Sequence, residues 1–307
     1  MFRFTVSGEK PLIIPIFIPH LGCQERCAFC NQREITGARQ PLPEEIDRTV
    51  AEYLSWSKPR KRCEISFYGG SFTALPSDLM RSYAGRALKF VKNGVADALR
   101  CSTRPDAIDE KIASELIHYR FETVELGVQS MSDGLLLKMA RGHGTDEVVK
   151  SLDLLRKNSI KVGLQFMTGF PGESEEDAAL TVGSLGKLMP DFIRIYPFVP
   201  LAGTRIFRDL EAGAVKMSSV SEILERTTTL FTEAMRLQIP VIRIGLPQAD
   251  GIPGIYPKNL FQVVVKLAVE RLAARGELDF ALPKAWETSF NMAKRAFPQI
   301  RVHFYDS

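Results

Sequence analysis

The sequence has no long apolar run, and none of its segments approaches the roughly 18 consecutive apolar residues of a membrane-spanning helix. Its longest candidate, residues 12–19, is short and contains Pro15 and Pro19. The N-terminus also lacks a basic region followed by an apolar stretch and a cleavage site of small residues. These absences predict a cytoplasmic protein that does not associate with membranes.

The sequence also lacks a large excess of one charge, and its cysteines are not spread along the chain as in a disulfide framework. Forty Lys and Arg residues stand against 36 Asp and Glu residues, and the formal charge of +4 is too small to indicate nucleic-acid binding by itself. The sequence has five cysteines, and three of them lie between residues 23 and 30, which is not the pattern of a disulfide framework. We therefore expect a reducing compartment and a metal or redox site.

Short strand-like runs alternate with helical patterns along the sequence, which predicts β/α units and a parallel sheet. The predicted strands span residues 12–18, 63–68, 99–103, 123–128, 160–167 and 192–196. Six such units make an α/β fold of the TIM type, a partial (β/α)6 barrel whose open side a large substrate could enter. We assign residues 1–205 to this barrel. Residues 206–307 form a small C-terminal α/β extension of unknown role, with predicted strands at residues 241–244 and 300–305.

Cys23, Cys27 and Cys30 directly follow the first predicted strand, with the spacing Cys-x3-Cys-x2-Cys. In parallel α/β folds, the loops after the carboxyl ends of the strands carry the chemistry. Three thiolates on one short loop can hold one metal centre, and a [4Fe–4S] cluster with three cysteine ligands keeps one iron open. A zinc site completed by His20 is the alternative, although structural zinc sites usually draw their ligands from two separated pairs.

Further candidate ligand-binding residues lie at the ends of the next predicted strands. The adjacent glycines Gly69 and Gly70 allow a backbone to approach a ligand closely, and their carbonyl groups can accept hydrogen bonds from an ammonium group. Thr103 and Arg104 provide hydroxyl and guanidinium donors, which suit a ribose or a carboxylate. The other candidates are Gln129, Gln165 and Tyr196, the last as a surface for adenine. His143 is a possible proton carrier. The basic run Lys58–Arg62 suits a solvated turn, or else a patch that contacts RNA phosphates.

The cysteine spacing, with the aromatic Phe29 before the last cysteine, resembles the signature of the radical S-adenosylmethionine (SAM) superfamily. Segments 68–72 (YGGSF), 102–106 (STRPD), 125–130 (ELGVQS), 141–143 (RGH) and 169–172 (GFPG) further resemble the radical SAM half of the Elongator catalytic subunit. The resemblance implies that the three cysteines hold a [4Fe–4S] cluster and that SAM binds its open iron. It also implies an electron donor such as ferredoxin or flavodoxin, reductive cleavage of SAM, and a 5′-deoxyadenosyl radical that abstracts hydrogen from the substrate.

In the Elongator family, the barrel acts on the wobble uridine of tRNA, and an acetyltransferase domain supplies an acetyl group from acetyl-CoA. This sequence departs from that pattern after the barrel, because residues 206–307 contain no Gly-rich pyrophosphate-binding loop. The cysteine loop also begins at residue 23, which leaves no room for an N-terminal tRNA-binding extension. We therefore expect a short bacterial relative without the acetyltransferase domain, acting on tRNA or on a small molecule.

Two rival functions stay open on the sequence alone. Oxygen-independent coproporphyrinogen oxidase has the same cysteine spacing and a similar barrel, and the resemblance to it implies a radical SAM enzyme for a small molecule. The other rival is a non-catalytic iron or zinc protein that uses the cysteine motif for stability or sensing. Formation of 5′-deoxyadenosine separates the enzymes from the binding protein, and RNA binding separates the two substrate classes.

Overall fold

The protein is described by a computed structural model over residues 2–3, 11–23, 27–31, 39–57, 62–246, 255–257, 259–277, 279–284, 287 and 298–305. Within these residues, seven parallel strands form a curled half-barrel, and helices lie between consecutive strands. The predicted fold class, a partial α/β barrel of the TIM type, is confirmed. Among the described helices, none combines the length and the apolar composition of a membrane span.

The strands belong to two sheets. The smaller sheet contains β1 (Phe2–Arg3), β9 (Asp279–Pro283) and β10 (Arg301–Tyr305). The half-barrel contains β2 (Leu12–Phe17), β3 (Cys63–Tyr68), β4 (Ala98–Thr103), β5 (Phe121–Gln129), β6 (Lys161–Thr168), β7 (Phe192–Pro197) and β8 (Val241–Ile244), in that spatial order. All six strands predicted for the barrel are present, with ends shifted by two residues or fewer.

The half-barrel continues beyond the six predicted units, because β8 pairs in parallel with β7. The sequence predicts a strand at these positions but places it in the C-terminal extension. The domain boundary at residue 205 stays a prediction. β9 has no predicted counterpart, whereas β10 matches the predicted final strand.

Nine α-helices are described. They are α1 (Ile46–Trp56), α2 (Ser77–Lys92), α3 (Glu110–His118), α4 (Asp133–Lys138), α5 (Thr145–Lys157), α6 (Glu175–Leu188), α7 (Arg205–Glu211), α8 (Val220–Arg236) and α9 (Leu260–Ala274). Side-chain caps mark several starts, since Asp109, Ser174 and Ser219 each accept a hydrogen bond from a backbone N–H of the first turn. Between β5 and β6 the chain forms two helices, α4 and α5, separated by a turn at residues 139–144.

The two faces of the sheet differ in chemistry. Along each strand the side chains alternate between the helix layer and the barrel interior. Apolar residues such as Phe67, Leu126 and Phe166 are fully buried in the hydrophobic core. The alternate positions include Arg100 and Glu125, which are also buried although they are charged. The barrel interior therefore contains buried charged groups among apolar side chains, and these groups can orient a charged ligand.

The two edge strands of the half-barrel are β2 and β8. β2 contains Pro15, and proline is tolerated at an edge because it has no N–H to donate to a neighbouring strand. Within the described residues β2 pairs with β3 alone, and β8 pairs with β7 alone. The barrel therefore has an open side between β2 and β8, as the sequence predicts.

Candidate active site

A cavity of about 620 Å³ lies at the carboxyl ends of the half-barrel strands and extends along their inner face. Ten residues predicted for the site line this cavity, namely Cys23, Cys27, Cys30, Gly69, Gly70, Thr103, Arg104, Gln129, Gln165 and Tyr196. They come from the loops and ends of six different strands. The structure thus brings the predicted residues together, while their assignment as ligands of a cluster or of SAM stays a prediction.

The turn that carries Cys23 packs tightly against the turn after β3. The N–H of His20 donates to the carbonyl oxygen of Gly69 at 3.1 Å, and the N–H of Ser71 donates to Leu21 at 2.8 Å. A Cβ atom on Gly70 would lie 2.3 Å from the carbonyl oxygen of Leu21, and one on Gly22 would lie 2.0 Å from that of Ser71. These glycines are required where the two turns meet, because backbone atoms occupy the space of any side chain.

The second half of the cysteine loop is fixed by contacts with other elements. The N–H of Ala28 donates to the carbonyl of Met139, and the carbonyl of Ala28 accepts from Ile206, each at 2.9 Å. The ring of Phe29 packs edge-on against Phe170, with 6.1 Å between ring centroids. The position of this part of the loop is therefore set by the segments after β5, β6 and β7.

The chemistry of the three thiols fits a cluster. Each of the three cysteines is partly exposed and lines the same cavity. Among the residues that the structure describes, no three His, Cys, Asp or Glu side chains meet around one point where a single ion would bind. A cubane cluster binds each cysteine through a different iron, so its sulfur ligands need not converge on one point. The donor set, three soft thiols beside an open cavity, fits a [4Fe–4S] cluster with one accessible iron.

The other two cysteines are not candidate ligands. Cys63 and Cys101 are buried within β3 and β4. Burial raises the pKa of both thiols, and the carboxylates of Asp97 near Cys63 and Glu125 near Cys101 raise it further. These thiols therefore stay protonated, whereas a metal ligand must be a thiolate.

Arg141 is a site residue that is not among the candidates predicted from the sequence. Its guanidinium donates hydrogen bonds to the sulfur of Cys27 at 3.1 Å and to the carbonyl oxygen of Gly127 at 2.6 Å. It also donates to Nε2 of His143 at 3.1 Å. The Arg-Gly-His segment was the available signal, but nothing in the sequence indicates which distant residue the arginine meets.

His143 holds Arg141 in place. Its Nδ1 lies 3.2 Å from the carbonyl oxygen of Gly144, so Nδ1 carries the proton and Nε2 accepts from Arg141. Burial and the adjacent Arg141 cation lower the pKa of His143. The residue is buried rather than solvated, and a neutral acceptor with both nitrogens engaged is better suited to orienting Arg141 than to carrying protons.

Thr103 and Arg104 already have partners within the protein. The hydroxyl of Thr73 donates to the carbonyl of Ala107 at 2.7 Å. In the 2.6 Å hydrogen bond between Thr73 and Thr103, the hydroxyl of Thr103 is therefore the donor. Thr103 therefore retains only acceptor capacity for a ligand. Arg104 forms a two-pronged pair with Asp106 at 3.0 and 2.8 Å. Although burial opposes ionisation, the Arg104 guanidinium lowers the pKa of Asp106.

The amides of Gln129 and Gln165 form a pair inside the cavity, with Nε2 of Gln165 donating to Oε1 of Gln129 at 2.8 Å. Gln129 has a left-handed backbone (φ 71°), which is uncommon for a residue other than glycine. It lies where the register between β5 and β6 shifts. This bulge fixes the position of the Gln129 side chain in the cavity.

A buried network of charges lies on the inner face of the barrel, among strand residues of β3, β4, β5 and β7. The Glu125 carboxylate accepts hydrogen bonds from Nε of Arg100 at 2.8 Å and from the hydroxyl of Tyr68 at 2.9 Å. Its second oxygen lies 2.6 Å from Nε of Arg194, whose NH1 group donates to the Tyr196 hydroxyl at 3.4 Å. The role of Glu125 cannot be recognised from the sequence, because a charge within a predicted strand does not reveal its partners on other strands.

The network holds Glu125 in its ionised form. Burial by itself would raise the pKa of Glu125, but the guanidinium groups of Arg194 and Arg100 lower it below its usual value. Burial and the Glu125 charge raise the pKa of Tyr68 to about 12, so the phenol stays protonated as the donor. Glu125, Tyr68, Arg194 and Tyr196 all line the cavity and give its lower part fixed hydrogen-bonding groups.

Comparison with known proteins identifies the family of this fold and site. The profile of the radical SAM superfamily matches residues 17–184, which is more than half of the chain. An uncharacterised protein of Methanocaldococcus jannaschii is 29% identical over 212 residues, covering 64% of this chain and 64% of that protein. The tRNA uridine(34) acetyltransferase of Methanocaldococcus infernus is 26% identical over 230 residues, covering 68% of this chain and 43% of that protein.

Among solved structures, the archaeal Elp3 of Methanocaldococcus infernus, with residues 1–46 deleted, superimposes with a TM-score of 0.65 at 22% identity. The match covers 89% of this chain and 64% of that one, and at this identity it shows a shared fold. The chain spans less than two thirds of the length of each of these three proteins. The predicted resemblance to the radical SAM half of the Elongator catalytic subunit is confirmed.

Proposed function

This chain is an enzyme that belongs to the radical SAM superfamily, and we propose that it binds a [4Fe–4S] cluster through Cys23, Cys27 and Cys30, cleaves SAM and modifies tRNA. The observation that carries the proposal is the cavity that the three thiols share with the strand-end residues predicted to bind SAM. Its volume of about 620 Å³ lies within the usual range of small-molecule sites.

Cys23, Cys27 and Cys30 would hold the cluster, which when bound would supply the electron for reductive cleavage of SAM and so the radical chemistry on the substrate. The protein residues bind and orient. Arg141 donates to Cys27, and its other hydrogen bonds keep the guanidinium at the cysteine loop. The carbonyl oxygen of Gly69 accepts from His20 and retains a second lone pair for the amino group of SAM.

The remaining proposed SAM contacts come from the strand ends around the cavity. They are Gly70, Thr103, Arg104, Gln129, Gln165 and Tyr196. Thr103 would contribute as a hydrogen-bond acceptor, since its hydroxyl already donates to Thr73. Arg104 remains partly exposed beside Asp106. A small protein reductant of the ferredoxin or flavodoxin class is proposed as the electron donor.

The proposed substrate class rests on the relatives. The relative that aligns with 68% of this chain is named tRNA uridine(34) acetyltransferase, a name that gives tRNA as the substrate of that protein. We therefore propose tRNA as the substrate of this radical SAM site.

A structural zinc site is a less suitable alternative to the cluster, because structural zinc sites are closed, whereas the thiols here face a large cavity.

The test is SAM cleavage by anaerobically reconstituted protein. We expect 5′-deoxyadenosine, measured by liquid chromatography and mass spectrometry, when dithionite and SAM are added, with more product when tRNA is present. Cys27→Ala should abolish the product, and Cys63→Ala, a change at a buried thiol outside the site, should not. A fully loaded cluster that yields no 5′-deoxyadenosine would refute the enzymatic proposal. A yield that tRNA does not change, with tRNA left unmodified, would refute the substrate class.

A further inference from the structure

We propose that the open side of the half-barrel binds single-stranded RNA, with Trp56 and Tyr53 stacking on a base and Arg243 contacting a phosphate. The site deepens the proposed function and rests on it, because it names the surface through which an RNA would reach the cysteine cavity. Three independent features of the described residues support it: the shape of the cavity, an aromatic pair and an unpaired cation.

The cavity at the cysteines extends to the open side. Its lining includes Pro15 and Phe17 of the edge strand β2, and Arg243 of the opposite edge strand β8. The same continuous cavity is lined by Cys23, Cys27 and Cys30. A substrate that enters between the two edge strands therefore meets residues of β2 and β8 before it reaches the cysteines.

Two aromatic residues connect this cavity with solvent. Tyr53 and Trp56 are three residues apart on α1 and therefore lie on one side of the helix. Their ring centroids are 5.3 Å apart with an interplanar angle of 36°. Tyr53 lines the cavity, and Trp56 is 70% exposed, although tryptophan is normally among the more buried residues. The pair forms an aromatic surface that extends from the cavity into solvent.

A cation faces the same cavity from the opposite edge. Arg243 lies in register with Arg194 of β7. Arg194 is paired with Glu125, whereas Arg243 is exposed and has no ion pair with any described residue. A guanidinium without an acidic partner can bind a phosphate oxygen, and phosphate contacts supply much of the affinity for nucleic acids.

The chemistry of this surface favours RNA over a protein partner. The exposed residues of α1 around the aromatic pair are Arg48, Ala51, Glu52, Leu54 and Ser55, so charged and polar groups lie beside the rings together with a small apolar side chain and a partly exposed leucine. Exposed aromatic rings beside cations are typical of sites that bind single-stranded nucleic acids through base stacking. The basic run predicted as an RNA-contacting patch follows α1 directly in the sequence; its residues 58–61 lie outside the described residues and are not part of the proposed site.

The first experiment measures the fluorescence of Trp56. The chain has two tryptophans, so Trp286→Phe leaves Trp56 as the sole indole in the cluster-loaded protein. We expect acrylamide to quench its emission in the free protein, and an RNA stem-loop with uridines in its single-stranded loop to quench it and to protect it from acrylamide. A fully paired RNA duplex should have little effect. An indole that acrylamide does not reach in the free protein would overturn the proposal.

The second experiment measures affinity for the same stem-loop by filter binding. Trp56→Leu should weaken binding roughly fivefold to hundredfold, the loss expected for one stacked base. Arg243→Met should also weaken it and should reduce the slope of log affinity against log salt by about 0.7, the value for one phosphate contact on a single strand. Arg81→Met, which removes a cation paired with Glu115 in the outer helix layer, is the matched control. Cluster absorbance and circular dichroism verify that each variant folds.

The outcomes separate the two proposals. If the wild-type protein binds the stem-loop and both variants bind it equally well, the site on the open side is refuted and the proposed function stands. If the wild-type protein cleaves SAM but binds neither the stem-loop nor tRNA, the tRNA substrate is refuted together with this site. A loss of affinity confined to Trp56→Leu and Arg243→Met supports the site.

Discussion

The guanidinium of Arg141 donates a hydrogen bond to the sulfur of Cys27 at 3.1 Å, although 114 positions separate the two residues in the chain. The carbonyl of Gly127 and the imidazole of His143 hold the guanidinium in this position. Hydrogen bonds and positive charge near cysteine sulfurs stabilise the reduced form of an iron–sulfur cluster. Arg141 is therefore a positioning residue that also tunes the proposed cluster.

Arg141→Met should lower the reduction potential of the reconstituted cluster, on the order of tens of millivolts, because a donor and a positive charge are lost beside Cys27. The potential is measured by redox titration followed by electron paramagnetic resonance. Arg205→Met is the control, since this exposed arginine contacts the carbonyl of Lys138 and no cysteine. Equal potentials in all three proteins would contradict the role assigned to Arg141.

Gly70→Ala should reduce the iron content of the reconstituted protein while the secondary structure persists. The new Cβ would overlap the carbonyl oxygens of Leu21 and Ile18, so the turn that carries Cys23 would have to move. Gly183→Ala is the matched control, because Gly183 lies within α6 with nothing within 4 Å of the added atom. That change should stabilise the helix by about 0.5–1 kcal/mol. Normal iron loading of Gly70→Ala would show that the close packing of the two turns is dispensable.

Glu125→Gln should lower the free energy of unfolding by about 3–5 kcal/mol, because the buried guanidinium of Arg194 would lose its counter-charge and that of Arg100 would keep only Glu64. Glu122 lies three residues earlier on the same strand, but its side chain is 50% exposed and pairs with Arg62. Glu122→Gln should therefore cost at most about 1 kcal/mol. Urea unfolding of the cluster-loaded proteins under anaerobic conditions measures both values. Similar losses for the two variants would argue against a central role for Glu125 in the buried network.

Glu173 should make stability depend on pH. Burial raises the pKa of its carboxyl to about 7, against the opposing contacts from the Gly169 amide and Arg226. Between the usual carboxyl pKa and this value, the folded chain binds more protons than the unfolded chain, so the free energy of unfolding falls as the pH rises. Below this pH window the carboxyl is neutral in both the folded and the unfolded chain. Above the window it is ionised in both, and the free energy of unfolding falls no further.

Glu173→Gln removes this titration. Relative to the wild type, the variant should gain on the order of 3 kcal/mol between about pH 4 and about pH 8. Glu175→Gln is the control, because Glu175 contacts the same arginine through a side chain that is 90% exposed. Its stability difference from the wild type should change little with pH. Parallel pH profiles for the wild type and Glu173→Gln would show that this carboxyl titrates normally.

Much of the site could be predicted because each motif lies at the end of a strand. In a parallel sheet, all carboxyl ends meet at one edge, so identifying the strands was enough to bring Cys23, Gly69, Thr103, Gln129 and Tyr196 to one cavity. The edge position of β2 was also predictable, since Pro15 has no N–H for a second neighbour. These features depend on local sequence and on the topology that the alternation of elements implies.

The missed features depend on pairs of distant residues. Arg141 meets Cys27, and Glu125 meets Arg100 and Arg194, only after the strands are aligned in register. The sequence likewise could not reveal that the hydroxyl of Thr103 donates its hydrogen bond to Thr73. The seventh strand, β8, follows two helices after β7, and its short length gave no indication that it joins the half-barrel.

Cys23, Cys27 and Cys30 are proposed to hold a cluster with one iron left for SAM. The most direct test is iron and sulfide analysis of the anaerobically reconstituted protein, followed by electron paramagnetic resonance of the reduced cluster with and without SAM. We predict about four irons per chain, a signal that changes when SAM is added, loss of the signal in Cys23→Ala, and its retention in Cys101→Ala. A single bound metal ion, or a cluster signal that SAM leaves unchanged, would contradict this assignment.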